Sequence, residues 1–296
     1  MISVDGSTKV FGIMGNSAID YMLPYVHNRI SEYMGINAAY VPFKVKGDLK
    51  MAVNGLGALD IKGVNVGAPY KTEIIYELAG VDPVAAEIGA VNTIIHSKDG
   101  YFGYNTEVYG LDRQLIEEKI LVTGRHVLIL GAGLAARTVA YLLISKNPAT
   151  ITIVNRTVSN AIGLQSDLRV YAARNGLYNL ANAIYALSFK ELRTIPFENM
   201  IAFQCTNVGL SPNIDTCVIH DRDFYKRISV GVDLLYNPRE TMFMKYLKSA
   251  GADAHNGMKL LLYQAISSYE LWNEITVPET IVYDIYKDLL ENKGLE

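Results

Sequence analysis

Residues 131–137, Gly-Ala-Gly-Leu-Ala-Ala-Arg, decide the fold of this chain. They follow His126–Leu130 (HVLIL), an apolar run that reads as a buried strand, and they open residues 138–144 (TVAYLLI), an apolar run compatible with a helix. Strand, glycine turn and helix in that order turn a G-x-G-x-x-[GA] match into a dinucleotide-site hypothesis. Gly131 permits the turn, Gly133 lets the backbone approach a pyrophosphate, and Ala136 is small enough for close helix–strand packing. The helix start then offers N–H groups and a partial positive charge to phosphates. The competing reading is a glycine-rich helix start beside a solvated arginine, and the strand before it favours the first.

The following strand separates the two nicotinamide cofactors. Residues 149–154 (ATITIV) alternate, are β-branched, and end at Asn155, Arg156 and Thr157. A site for NAD carries an acidic residue about 20 positions beyond the first glycine, to hold the ribose 2′-hydroxyl. Asn155 and Arg156 stand there instead, and a planar guanidinium suits a 2′-phosphate. NADP is expected, with NAD as the alternative.

With 296 residues, half of them apolar, the chain can bury a large core and is expected to form two domains. A net charge of −3 gives no reason to expect nucleic acid or an anionic membrane surface as partner. Cys205 and Cys217 are too few for a disulfide framework and lack metal-site spacing, so no metal is expected and a reducing compartment fits. No signal-peptide pattern opens the chain and no apolar run reaches spanning length. We expect a cytoplasmic protein acting on a small molecule, as monomer or homodimer.

Around this centre the chain alternates strands and helices. Strands are expected at 8–14, 38–43, 61–66, 90–96 and 101–104, with helices at 23–34, 48–53, 71–78 and 83–87. A turn at Lys98, Asp99 and Gly100 makes the last two strands a hairpin. A helix from Leu111 leads into the nucleotide half, where a helical stretch to about Asn175 and strands at 183–186, 199–204 and 229–233 follow. Two helices, 258–272 and 277–291, end the chain. Alternation of this kind argues for an α/β fold with a doubly wound, Rossmann-type dinucleotide-binding domain. The 125 residues before the fingerprint strand are patterned α/β themselves, and form an N-terminal α/β domain suited to hold a substrate. The cleft between the two domains is expected to hold the chemistry.

Hydride transfer to a carbonyl needs a proton donor. Lys71 follows a Gly-Ala-Pro turn at a strand's C-terminal end, where α/β sheets place ligands, and a lysine there can exchange a proton with an alkoxide. A solvated lysine at a helix start explains it equally well. Glu107 follows the hairpin and could orient Lys71; alternatively Asn105 or Thr106 caps a helix and Glu107 complements its dipole. Asn92, in an apolar run, needs polar partners that polyol hydroxyls would supply. Gln264, on the face of the apolar helix LLLYQAI, raises the same question.

Seven segments in order resemble the shikimate dehydrogenases: residues 63–71 (GVNVGAPYK), 88–93 (IGAVNT), 103–107 (GYNTE), 131–137 (GAGLAAR), 155–157 (NRT), 233–238 (DLLYNP) and 257–265. The resemblance implies an N-terminal substrate domain over 1–106, completed by C-terminal helices over 258–296, with an NADP-binding Rossmann domain over 107–257. It implies reduction of 3-dehydroshikimate to shikimate. Lys71 resembles the family's catalytic lysine, and Glu107 stands where its partner aspartate does. Asn65, Asn92 and Gln264 match residues that hold the substrate's hydroxyls, Tyr236 one that lines the site, and Arg156 the arginine facing the 2′-phosphate. We also place Gly131, Gly133, Leu134, Ala135, Asn155, Thr157, Thr206 and Gly257 among the cofactor-binding residues.

The departures concern the substrate carboxylate. The family's Ser-x-Ser pair, which grips it, is replaced by Tyr21 and Leu23, and the threonine of its N-V-T stretch by Gly67. Lys259 stands in place of a glycine near the nicotinamide, and Ser159 and Asn160 occupy a region where a second basic residue is common. Two readings therefore accompany shikimate dehydrogenase: a paralogue for quinate or another polyol acid, and a nucleotide-binding sensor without turnover. Retention of Lys71 with an acid at 107 speaks against the sensor.

Overall fold

The computed structural model describes residues 4–16 and 22–291, and the chain divides into two compact units. The first comprises Met1–Gly110 with Leu261–Asn292, the second chiefly Leu111–Leu260.

The first unit opens with β1 (Lys9–Gly15), α1 (Met22–Met34), β2 (Ala38–Lys44), α2 (Leu49–Ala58) and β3 (Gly63–Val66). A 3₁₀ turn over Glu73–Glu77, β4 (Gly80–Val81), α3 (Pro83–Ile88), β5 (Thr93–Ser97) and β6 (Gly100–Tyr104) follow. The sheet order is β2-β1-β3-β5-β6-β4, with β5 antiparallel to both neighbours and the other pairs parallel. The Asp48 carboxylate accepts from Lys50 N and starts α2; Asp82 accepts from Val84 N and Ala85 N and starts α3 with Pro83 in the first turn.

The second unit starts within α4 (Thr106–Glu117), which carries the chain out of the first. It continues through β7 (His126–Leu130), α5 (Leu134–Ser145), β8 (Thr150–Val154), α6 (Val158–Arg174), α7 (Tyr178–Asn182), β9 (Ile184–Leu187) and β10 (Met200–Gln204). Then come β11 (Ile228–Asp233), α8 (Met242–Ser249) and β12 (Asp253–His255). All strands are parallel, in the order β9-β8-β7-β10-β11-β12. Counted from β7 this is 3-2-1-4-5-6, the doubly wound order with its switch point between β7 and β10. β8 and β10 are buried at every position, as strands covered on both faces must be.

Two helices, α9 (Met258–Asn273) and α10 (Glu279–Glu291), return the chain to the first unit. Trp272 seals that unit's core. Its ring stacks on Phe11 with centroids 5.0 Å apart, its Nε1 donates to Ile94 O at 3.0 Å, and a Cβ on Gly63 would stand 2.3 Å from it.

Several boundaries differ from the sequence expectation. The helix expected at 71–78 is only the short 3₁₀ turn. α2 runs to Ala58, five residues beyond the expected 53. Asn92 lies just before β5, not within it. The chain also forms β4, α7, α8 and β12, which are too short or too irregular in pattern to read from periodicity.

Candidate active site

In the first unit, Lys71 is positioned by the turn that leaves β3. Gly67 N donates to Met14 O at 2.8 Å, and Val91 N donates to Lys71 O at 2.8 Å, which ties the turn to the entry of β5. The Lys71 side chain reaches Glu107, with Nζ 2.5 Å from Oε1, and both are about three-quarters shielded from solvent. Glu107 sits in the first turn of α4, where a carboxylate is also favoured by the helix dipole. Glu107 therefore both faces Lys71 and complements the helix start.

The start of α4 is capped from a distance. Asn92 Oδ1 accepts from Thr106 N at 2.7 Å, the job that neither Asn105 nor Thr106 does for itself. Asn92 Nδ2 donates to Thr106 Oγ1 at 3.0 Å and to Gln264 Oε1 at 3.2 Å. Asn65 Nδ2 donates to Thr93 Oγ1 at 3.0 Å and Ser268 Oγ at 2.9 Å, and its Oδ1 accepts from the Tyr40 hydroxyl at 2.8 Å. Thr93, Thr106 and Ser268 hydroxyls lie within 3.1 Å of one another. Asn65 and Asn92 are thus joined in one buried network, each with both amide hydrogens engaged. Gln264 is only half-buried, and its amide nitrogen has no hydrogen-bond partner among the described residues.

Tyr40, Thr93 and Ser268 escaped the sequence reading, which weighed Thr106 only as a helix cap. Ser268 carried a usable signal, since it lies four residues beyond Gln264 and so on the same face of α9. Leu23 is buried in the first turn of α1, and Tyr21 lies outside the described residues. A Cβ at Gly67 would stand 3.2 Å from Met14 O, so this position suits a close passage of backbone.

Beside the network sits His27. It is 1% exposed, stacks on Tyr40 with centroids 4.2 Å apart, and neither ring nitrogen has a partner among the described residues. Burial pushes its pKa down to about 3, slightly opposed by Asn65, so the ring is neutral.

The second unit carries the fingerprint. Gly131 has φ +117°, a conformation that glycine adopts without strain, and its N–H donates to Val154 O at 2.8 Å. Gly133 is the extended residue before α5, no side chain caps that helix, and a Cβ there would meet nothing within 4 Å. Ala136 is fully buried, as the close packing of α5 on the sheet requires. Open backbone, an uncapped helix start and the switch point at one place fit a dinucleotide pyrophosphate. Leu134 is exposed and Ala135 half-buried beside that turn. Asn155 is half-buried, with its amide donating to Thr157 O at 2.9 Å, while Arg156 and Thr157 are exposed at the end of β8.

Two buried polar residues bracket the loops beyond β10 and β11. Gln204 Oε1 accepts from Thr206 N at 2.7 Å and Thr206 Oγ1 at 2.8 Å. Asp233 accepts from Thr241 Oγ1 at 2.6 Å and Leu235 N at 3.0 Å, around the loop that carries half-buried Tyr236. Burial pushes the Asp233 pKa up to about 6 against those two hydrogen bonds. Gly257 leaves no room for a side chain, since a Cβ would stand 2.1 Å from Leu234 O. Lys259 pairs with Glu117 at 2.8 Å and Glu118 at 3.6 Å, so its charge ties the start of α9 to the end of α4.

No helix among the described residues is long and apolar enough to cross a membrane. Residues 13–94 match the family model of the shikimate dehydrogenase substrate binding domain, and residues 114–188 that of shikimate / quinate 5-dehydrogenase. A shikimate dehydrogenase (NADP(+)) of Carboxydothermus hydrogenoformans is 34% identical over 94% of this chain and 96% of its own. Among solved structures, a shikimate dehydrogenase in complex with NADP+ superposes with a TM-score of 0.85 at 32% identity, over 98% of each chain. A shikimate 5-dehydrogenase of Listeria monocytogenes, in complex with shikimate and NAD, gives 0.83 at 25% identity over 95% of this chain and 97% of that one.

Proposed function

Because the chain belongs to the shikimate dehydrogenase family, we propose that it interconverts 3-dehydroshikimate and shikimate with NADP(H). The observation that carries the reading is the Lys71–Glu107 pair, 2.5 Å apart beside a buried amide network. When bound, the nicotinamide supplies or takes the hydride. Lys71 Nζ donates the proton that the substrate's carbonyl oxygen takes up on reduction, and accepts it back on oxidation. Glu107 holds the ammonium group in place.

We assign Gln264 to the ring hydroxyls, on the strength of its available amide nitrogen. Asn92 and Asn65 belong to the same group, and their saturated amides also make them struts that fix Gln264, Thr106 and Ser268. Tyr236 and the positions 21, 23 and 67 complete the substrate side. The first unit is accordingly the substrate domain and the second the NADP domain, a division supported by where Asn65, Lys71, Asn92, Glu107, Gln264 and the glycine turn lie. Leu134, Ala135, Asn155, Arg156, Thr157, Thr206 and Gly257 are assigned to the cofactor.

NADP over NAD rests on the exposed Arg156 and on the absence of a carboxylate at the end of β8. Shikimate over quinate rests on the relatives, which share about a third of their residues over nearly the whole chain. Cys205 and Cys217 are both free thiols, which suits the reducing cytoplasm, and monomer or homodimer remains the expected state. The test is the nicotinamide absorbance with shikimate and quinate, each with NADP and NAD. Fastest turnover is expected for shikimate with NADP. No turnover of shikimate with either cofactor would overturn the proposal.

A further inference from the structure

A cavity of about 400 Å³ adjoins the glycine turn in the second unit, and Arg137 beside it has no role assigned above. Ala132, Gly133 and Leu134 form one side, Asn160 and Leu164 of α6 the other, and Arg137 of α5 is the single charged residue lining it. The Arg137 guanidinium is fixed by Asp167, whose Oδ2 accepts from Nη1 at 2.7 Å and Nη2 at 2.5 Å, and it lies over the Tyr141 ring at 5.6 Å. Asn160, Leu164 and Asp167 follow helical spacing, so one face of α6 both lines the cavity and anchors the arginine.

The position of the cavity indicates what it takes. Backbone N–H groups at the turn serve the pyrophosphate, whereas the ribose 2′-substituent falls toward the strand that follows the fingerprint. That strand is β8, and the cavity opens between the first turn of α5 and the first turns of α6, which follows β8. Arg156 emerges from the same strand end, exposed and with no hydrogen bond or ion pair among the described residues. A cavity with one cation, one amide and an apolar floor suits a phosphate attached to a ribose.

We propose that Arg137 binds the adenosine 2′-phosphate, sharing with Arg156 the charge that Asn160 does not supply. This rests on the NADP reading above. The Asp167 pair fixes the guanidinium against α6 at the edge of the cavity, so a phosphate would share it with that carboxylate. One charge-assisted contact to a phosphate corresponds to roughly 10-fold or more in affinity.

The experiment measures binding by calorimetry, with 2′,5′-ADP and 5′-AMP as probes of the full-length protein. The wild type is expected to bind 2′,5′-ADP at least about 10-fold more tightly than 5′-AMP. Arg137→Met, which keeps the apolar stem over Tyr141, should remove about 10-fold of the affinity for 2′,5′-ADP and leave 5′-AMP within about 2-fold. Arg137→Lys keeps the charge without the fork and should recover part of the loss. Unchanged 2′,5′-ADP binding in both variants, or equal losses for the two probes, would overturn the role of Arg137. A wild type that binds the probes equally would overturn the NADP reading as well, which separates the two failures.

Discussion

Around Asn65 and Asn92, seven side chains (with Tyr40, Thr93, Thr106, Gln264 and Ser268) bond to one another across five segments of chain. Around Gly133 the main features are backbone: an uncapped helix start, an extended residue and open space. The substrate side is thus a network in which each group depends on its neighbours. The cofactor side is a surface that a ligand can meet one contact at a time. Damage should spread in the first region and stay local in the second.

Lys71→Ala is the harshest test of the substrate side. It should lower kcat by at least about 100-fold, the usual scale of general acid–base contributions, while affinity for NADP is kept. A near-normal kcat would remove Lys71 from the chemistry, and a large loss of NADP affinity would show that damage there is not confined to proton transfer.

Next comes Asn92→Leu. It strips the cap from α4 and leaves the Gln264 side-chain oxygen without its Asn92 donor, so stability should fall by about 2–3 kcal/mol. A urea midpoint shifted by less than the scatter of a surface mutant would show that the network relaxes around its loss, and the contrast between the regions would weaken. Milder still is Arg156→Ala. The KM for NADP should rise about 10-fold and that for NAD stay nearly the same, one charge-assisted contact being lost without neighbours following. Equal changes for both cofactors would mean that Arg156 supports the fold.

Over the narrow range between pH 5 and 6.5 the two regions should also differ in the sign of their pH dependence. His27 has a folded pKa depressed from 6.5 to about 3. The unfolded chain then binds the extra proton, so stability is full above about 6.5 and falls by about 1.4 kcal/mol per unit as pH drops through that window. Asp233 has a folded pKa raised from 3.8 to about 6. The folded chain then holds the extra proton, and stability falls at a similar slope as pH rises from about 3.8 to 6. Urea titrations between pH 5 and 6.5 should therefore slope upward with pH in Asp233→Asn and downward in His27→Leu, relative to the wild type. Identical profiles for both variants would break the comparison.

The same contrast explains what could be read from the sequence. The glycine turn and the doubly wound order around it were legible because a glycine pattern between a strand and a helix is local. The substrate side is made by partners far apart in the chain. α4 starts five residues before the expected Leu111 because Asn92, 14 positions earlier, caps Thr106 N. Lys71 and Glu107 are 36 positions apart, and no spacing rule joins them; the family resemblance did. Lys259, which stands where the family has a glycine near the nicotinamide, pairs with Glu117 and Glu118 more than 140 positions earlier, partners that no local pattern names.

Trp272 is the chain's only tryptophan, and it closes the core of a unit whose sheet ends some 170 residues earlier, at Tyr104. A ribosome therefore finishes the whole fingerprint unit while Gly63 and Phe11 still lack their cover. Domains generally fold as they emerge, so the inserted unit can be native before the one that was begun first. Until α9 arrives, the nascent sheet of the first unit lacks the apolar cover that Trp272 gives it. The indole's emission would report the moment that exposure ends.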